Sequence, residues 1–240
     1  AAGGANTFNM YIDRDIDGLM VRTQARPLVT GAVTPRSALL FGLLLEVAAF
    51  VLLWLAVNLL SALLAISATL FYVFVYSLWL KRTSKQNIVI GGAAGAVPAL
   101  VGWAAVTNSL SLAPWLLFAV IFFWTPPHFW ALAIKYAEDY KAADVPMLPV
   151  VSSIRSTAIQ MICYTIVVLA LSIWIYFVLE TGFIYLAASV IFGGIFLWHT
   201  VLLLKRPTMA QAMKVFHYSI SYLGLLFIAM AVDVLVSEGI

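Results

Sequence analysis

The sequence predicts an all-α fold, a polytopic bundle of membrane-spanning helices. Three observations carry that expectation. Of the 240 residues, 64% are hydrophobic and only 10% charged, at a mean hydropathy of +1.05, a balance that excludes a water-soluble globular domain. The apolar residues gather into runs near the ~20 residues that a helix needs to cross a bilayer. The 13 Lys and Arg residues fall only in alternate connections between these runs. No linker, low-complexity tract or long charge run divides the chain, so one transmembrane domain over 1–240 is expected.

The chain opens on Ala1-Ala2-Gly3-Gly4-Ala5, which reads as the end of a preceding helix, so that further N-terminal spans are expected. A polar helical segment follows. Seven spans come next, at roughly 36–57, 58–80, 87–107, 112–134, 156–179, 182–204 and 213–236. Arg14, Arg22, Arg26 and Arg36 precede the first span, and Lys81, Arg82 and Lys85 follow the second. Lys135, Lys141 and Arg155 follow the fourth, and Lys205, Arg206 and Lys214 the sixth. After an even number of crossings the chain is back on its starting side, so all these bases share one face. The opposite connections, near Asn58, 108–111 and 180–182, carry none. The positive-inside rule puts the basic face in the cytoplasm of a bacterium, or in the matrix for a mitochondrial protein. Such a face attracts anionic membrane lipid or a diphosphate. The single cysteine, Cys163, excludes an intrachain disulfide. The bases are dispersed among membrane loops, which argues against nucleic acid as a partner.

The polar segment carries the strongest chemical signal. Asn9, Asp13 and Asp17 are spaced i, i+4, i+8, and each step of four turns a helix by ~400°, so one amide and two carboxylates form a ridge on one face. Asp15 points away from it. Acidic clusters in a membrane protein are functional candidates, and hard oxygen ligands suit Mg²⁺ shared with a substrate phosphate. Arg22 and Arg26, again four apart, offer two guanidinium forks to phosphate, and Pro27 ends any helix there. They also serve as juxtamembrane anchors or partners of nearby acids.

A second acidic run, Glu138-Asp139, follows the fourth span on the same face. Asp139 is the candidate second metal ligand, with Glu138 beside it; a solvated loop with a Lys135–Asp139 pair is the alternative. A symmetric site would want a carboxylate at position 143, which is Ala143, with Asp144 one residue late. Lys81 and Arg82 suit either phosphate or plain anchoring. His128 lies in Thr125-Pro126-Pro127-His128-Phe129-Trp130, where two prolines are expected to break the helix. It is a candidate to ligate or orient a cofactor such as haem, or a hydrogen-bonded interior histidine. Gly91-Gly92-Ala93-Ala94-Gly95 permits close helix packing and lacks the lysine of a nucleotide loop. Glu46 and Asp233 sit inside apolar spans without evident partners.

Asn9-x3-Asp13-x3-Asp17 followed by Arg22-Thr23-x2-Arg26-Pro27-Leu28 resembles the first signature of the UbiA-type intramembrane prenyltransferase superfamily. The runs Leu80-Lys81-Arg82-Thr83, Pro126-Pro127-His128-Phe129-Trp130, Glu138-Asp139-Tyr140 and Pro146-Met147-Leu148-Pro149 occur in the expected order and resemble its haem-farnesylating branch. The resemblance implies nine spans, of which seven are visible and the N-terminal helices missing. It implies Mg²⁺ held at Asn9, Asp13 and Asp17 and at Asp139 with Glu138. It also implies a diphosphate met by Arg22, Arg26, Lys81 and Arg82. The implied substrates are farnesyl diphosphate and haem B. The implied product is haem O, with haem A synthase or a terminal oxidase as an assembly partner. The same enzyme class acting on a quinone precursor or chlorin stays open. So does a polytopic transporter, although no inverted repeat is visible.

Overall fold

The computed structural model describes residues 1–239, which divide into two compact helical units. Among them, seven helices are long and apolar enough to cross a membrane, so the chain is an integral membrane protein. Their bounds follow the expected ones closely, the last beginning at Met209 rather than 213.

The first unit comprises 1–110 and 136–151. Helix α1 (Ala2–Ile12) and the single turn α2 (Arg14–Asp17) carry the polar segment. Next come α3 (Pro35–Ala56) and α4 (Leu59–Leu70), then a π-helical stretch Phe71–Leu80 that runs into α5 (Lys81–Thr83), and α6 (Asn87–Thr107). The short α8 (Ala137–Ala142) and α9 (Leu148–Val151) complete it. Local chemistry sets these boundaries. Pro35 opens α3, and Thr34 Oγ1 accepts from the Ser37 N–H, the arrangement expected of an N-cap followed by proline. Asn58 caps α4, its Oδ1 accepting from Ser61 N–H at 2.8 Å while its Nδ2 donates to the Ala104 carbonyl at 2.7 Å. One side chain thus starts a span and ties it to the end of α6, where Asn108 leaves the helix at φ 50°. Helix α1 packs on α3 and on the π stretch, and α6 packs on α4 and the π stretch.

The second unit comprises 111–135 and, among the described residues, 152–239. It holds α7 (Leu112–Lys135), α10 (Ile154–Val178), α11 (Phe183–Lys205) and α12 (Met209–Glu238). Pairs α7·α10, α10·α11, α11·α12 and α12·α7 all pack, closing a four-helix ring. Several of its buried polar groups pair with one another. Ser172 Oγ lies 2.8 Å from the Tyr222 hydroxyl, and the Tyr185 hydroxyl donates to the Ser172 carbonyl at 3.0 Å. The expected break at Pro126-Pro127 does not occur, because α7 runs through both. In a span, neighbouring side chains compensate the missing N–H groups. Exposed Leu, Ile, Val, Phe and Trp side chains such as Leu55, Phe74, Trp79, Phe177 and Trp198 cover the outside of both units, as lipid rather than water requires.

Candidate active site

The Asn/Asp ridge lies in the first unit, and its helix is interrupted. Helix α1 ends at Ile12, Asp13 is its C-cap at φ −88°, ψ 3°, and α2 restarts at Arg14. The four-residue register nevertheless survives. The Asp13 N–H donates to the Asn9 carbonyl at 2.9 Å, and the Asp17 N–H donates to the Asp13 carbonyl at 2.8 Å. Asn9, Asp13 and Asp17 are all buried, the two carboxylates almost completely, at 0% and 1% exposure. Asp15 faces outwards, as expected.

Buried carboxylates need partners, and the bases expected to meet phosphate supply them. Lys81 Nζ pairs with Asp13 Oδ2. Arg26 Nη1 donates to Asp17 Oδ2 at 2.6 Å. Arg82 grips exposed Asp15 through both terminal nitrogens, at 2.6 and 2.7 Å, and stands 3.7 Å from Asp13 Oδ1. Its guanidinium holds the Asp15 carboxyl below the usual range, at about 2. Asn9 Nδ2 donates to Asp13 Oδ2 at 2.8 Å and to Ser77 Oγ at 3.2 Å, fixing the carboxylate plane.

The second acidic run joins the same unit through Asp139, whose Oδ2 accepts from the Arg22 backbone N–H at 3.3 Å. The Arg22 guanidinium lies over the Tyr136 ring, 5.6 Å from its centroid. Glu138 is exposed, Ala143 is buried at the position where a symmetric site would place an acid, and Asp144 is exposed. Burial pushes the Tyr140 hydroxyl up.

The arrangement fits a metal of the expected kind. Asp13 Oδ1 and Asp17 Oδ1 are buried and accept no hydrogen bond, which a structure tolerates rarely. Among the described residues no three His, Cys, Asp or Glu side chains converge on one point, so an all-protein cage is missing. Mg²⁺ does not need one, because it is bound by one or two carboxylates with water and substrate phosphate completing the octahedron.

Spacing did not reveal Ser77 and Tyr76. Both lie on the π stretch, where the usual helical periodicity fails. Tyr76 stacks on Tyr72 with centroids 5.3 Å apart, and its ring presses on Gly91, where a Cβ would collide with it. Gly91 is the one visible signal, a glycine kept where a ring arrives. The two intramembrane acids also find partners. Glu46 accepts from Thr69 Oγ1 at 3.2 Å. Asp233 receives the backbone N–H groups of Gly182, Ile184 (3.0 Å) and Tyr185 (3.2 Å), capping the start of α11.

His128 belongs to the second unit. Its ring is stacked between Trp124 and Phe216, with centroids 4.2 and 4.7 Å away, and Nδ1 lies 2.7 Å from Ser219 Oγ.

The sequence pattern of the UbiA prenyltransferase family matches residues 1–230. A protein of Thermus thermophilus named protoheme IX farnesyltransferase is 52% identical over 232 residues, which are 97% of this chain and 38% of that protein. Proteins of the same name from Frankia casuarinae and Streptomyces coelicolor are 52% and 49% identical and are covered over 83% and 76% of their lengths. The chain thus spans well under half of the Thermus relative and about four fifths of the others. Among solved structures, a digeranylgeranylglyceryl phosphate synthase superposes with TM-score 0.77 at 22% identity, covering 96% of this chain and 80% of that one. A UbiA homolog from Archaeoglobus fulgidus bound to DMAPP and Mg²⁺ gives 0.65 at 18%, covering 95% and 83%. These structural likenesses establish the fold.

Proposed function

The chain belongs to the UbiA prenyltransferase family, and from that premise we propose that it transfers a farnesyl group from farnesyl diphosphate to a vinyl group of haem B. One observation carries the reading: a buried Asn9–Asp13–Asp17 ridge in which Asp13 Oδ1 and Asp17 Oδ1 accept no hydrogen bond. The name shared by relatives at about half identity supports the haem acceptor. The match over 1–230 supports reading both units as one prenyltransferase domain. The bacterial relatives and the one-sided bases support a plasma-membrane protein with its basic, active face in the cytoplasm.

In this reading Asp13 and Asp17, and on the second run Asp139 with Glu138 nearby, hold Mg²⁺, while Asn9 keeps Asp13 oriented. When bound, Mg²⁺ supplies a positive centre that withdraws charge from the departing diphosphate. Lys81 and Arg26 exchange their carboxylate partners for phosphate oxygens, and Arg22 and Arg82 add charge around the leaving group. The allylic C–O bond breaks and its electron pair leaves with the diphosphate. Apolar walls keep water from the delocalised farnesyl cation until the vinyl π bond attacks it. Water then adds to the new cation beside the macrocycle and loses a proton to solvent, giving the hydroxyethylfarnesyl group of haem O. No buried general base is required.

The test is incubation of membranes carrying the protein with haem B, farnesyl diphosphate and Mg²⁺, followed by mass spectrometry of the porphyrins. A haem heavier by one farnesyl group and one hydroxyl group, lost with EDTA and in Asp13→Ala, supports the reading. Unchanged haem alongside prenylation of a quinone precursor or chlorin refutes the acceptor and keeps the enzyme class.

A further inference from the structure

The hydrogen bonds around His128 determine which of its ring nitrogens carries the proton. Ser219 Oγ stands 2.6 Å from the Phe216 carbonyl. A carbonyl only accepts, so the single Ser219 hydroxyl proton is spent there. The contact at 2.7 Å between Ser219 Oγ and His128 Nδ1 then needs its proton from the imidazole. His128 is therefore the Nδ1–H tautomer, and its lone pair is on Nε2. The ring plane is also fixed, with Trp124 tilted 17° from it on one side and Phe216 25° on the other. The Trp124 indole N–H donates to the Ser219 carbonyl at 2.9 Å, so Ser219 anchors the stacking ring as well as the imidazole. Every freedom of this histidine is set from one side, and Nε2 receives no hydrogen bond from the described residues.

A neutral imidazole whose Nδ1–H is tied to an oxygen is the arrangement found in metal-ligating histidines, where the second partner fixes the tautomer and raises ligand basicity. The geometry points to His128 Nε2 as an axial ligand for the iron of a haem acceptor, with Ser219 as the residue that positions it. The inference rests on the proposed haem substrate.

The full chain in lipid nanodiscs, titrated with ferric haem and separately with iron-free protoporphyrin IX, tests it. Wild type is expected to give the Soret band of a histidine-ligated haem. His128→Asn keeps an N–H donor for Ser219 and removes the Nε2 lone pair. It is expected to lose that band and at least tenfold in haem affinity. Added imidazole should restore the band in His128→Ala. Ser219→Ala is expected to weaken haem about tenfold, and neither variant should change protoporphyrin IX binding. Wild-type spectra and affinity in His128→Asn, or equal losses for haem and protoporphyrin IX, would overturn ligation. Wild type that binds no haem overturns it too. Product analysis runs alongside and separates the two claims. Farnesylated haem with unaffected variants sinks only the ligand, whereas ligated haem without product sinks only the transferase reading.

Discussion

Replacing Lys81 with methionine is expected to cost about 3 kcal/mol of stability in the metal-free protein, and the reason is Asp13 rather than Lys81 itself. The Lys81 side chain is 10% exposed and the Asp13 side chain 0%. Removing one partner of a buried pair leaves an uncompensated charge, at a cost of about 3–5 kcal/mol. The lower end applies here, because Asn9 Nδ2 at 2.8 Å and the Arg82 guanidinium at 3.7 Å still face the Asp13 carboxylate. Asp13→Asn alone strands the ammonium group and should cost about 2 kcal/mol. The double variant Asp13→Asn/Lys81→Met buries no charge at all, so its cost should lie within about 1 kcal/mol of zero. The double-mutant cycle then gives a coupling of about 5 kcal/mol, read from denaturant unfolding in mixed micelles. All three variants should release no diphosphate from farnesyl diphosphate, since Asp13 or its exchanging cation is gone. Additive stability losses, with coupling below about 0.5 kcal/mol, would refute the claim that these groups neutralise each other before substrate arrives.

Asp139→Asn should lower farnesyl transfer by more than tenfold, whereas Glu138→Gln, at an exposed position, should change it less than about threefold; parallel rate assays decide. Gly91→Ala drives a methyl into the Tyr76 ring and should cost about 1–3 kcal/mol, measured by thermal melting. Asp233→Ala removes the acceptor of three N–H groups at the start of α11 and should cost about 1–2 kcal/mol while leaving the transfer rate unchanged at low temperature. The Asp15 carboxyl is shifted down from 3.8 to about 2 by Arg82. Its contribution is thus complete above pH 3.8 and disappears as pH falls through about 2, and exposure keeps it small. The melting difference between wild type and Asp15→Asn should be flat above that window and vanish below it.

What the sequence made legible was everything governed by length and period. Spans appear because lipid demands unbroken apolar runs, and the ridge appears because residues four apart share a helix face. The ridge survived even a helix interruption at Asp13, since the backbone hydrogen bonds from Asn9 to Asp17 keep the four-residue step. Periodicity failed where the backbone left the α form. The π stretch Phe71–Leu80 carries Ser77 to Asn9 and delivers Lys81 to Asp13 from the end of a span, while sequence reading placed Lys81 in a loop. The prolines at 126 and 127 misled for the opposite reason. They read as a break, yet α7 continues through them because packed neighbours compensate the missing donors.

Long-range pairing was not legible at all, and it decides what the charged residues do. Asp233 looked unpartnered inside an apolar run, yet its partners are N–H groups some fifty residues away at another helix's start. Arg26 and Lys81 looked like phosphate ligands, and their contacts in the structure are carboxylates. The two assignments are compatible once the energy of buried intramembrane carboxylates is considered. Two carboxylates at 0% and 1% exposure do not persist ionised in apolar surroundings without counter-charge. A site built to receive a dication and a diphosphate therefore has to store cations of its own. In the proposed function those cations would release the acids to the metal and pass to the phosphates, which would keep the net charge of the buried site nearly constant through binding. Removing Lys81 alone should accordingly strengthen binding of Mg²⁺ without diphosphate, since the ammonium no longer competes for Asp13, and weaken binding of the Mg²⁺–diphosphate pair. Isothermal titration with each ligand reads both signs, and a Lys81→Met protein that binds both more weakly would show that Lys81 stabilises the site without exchanging.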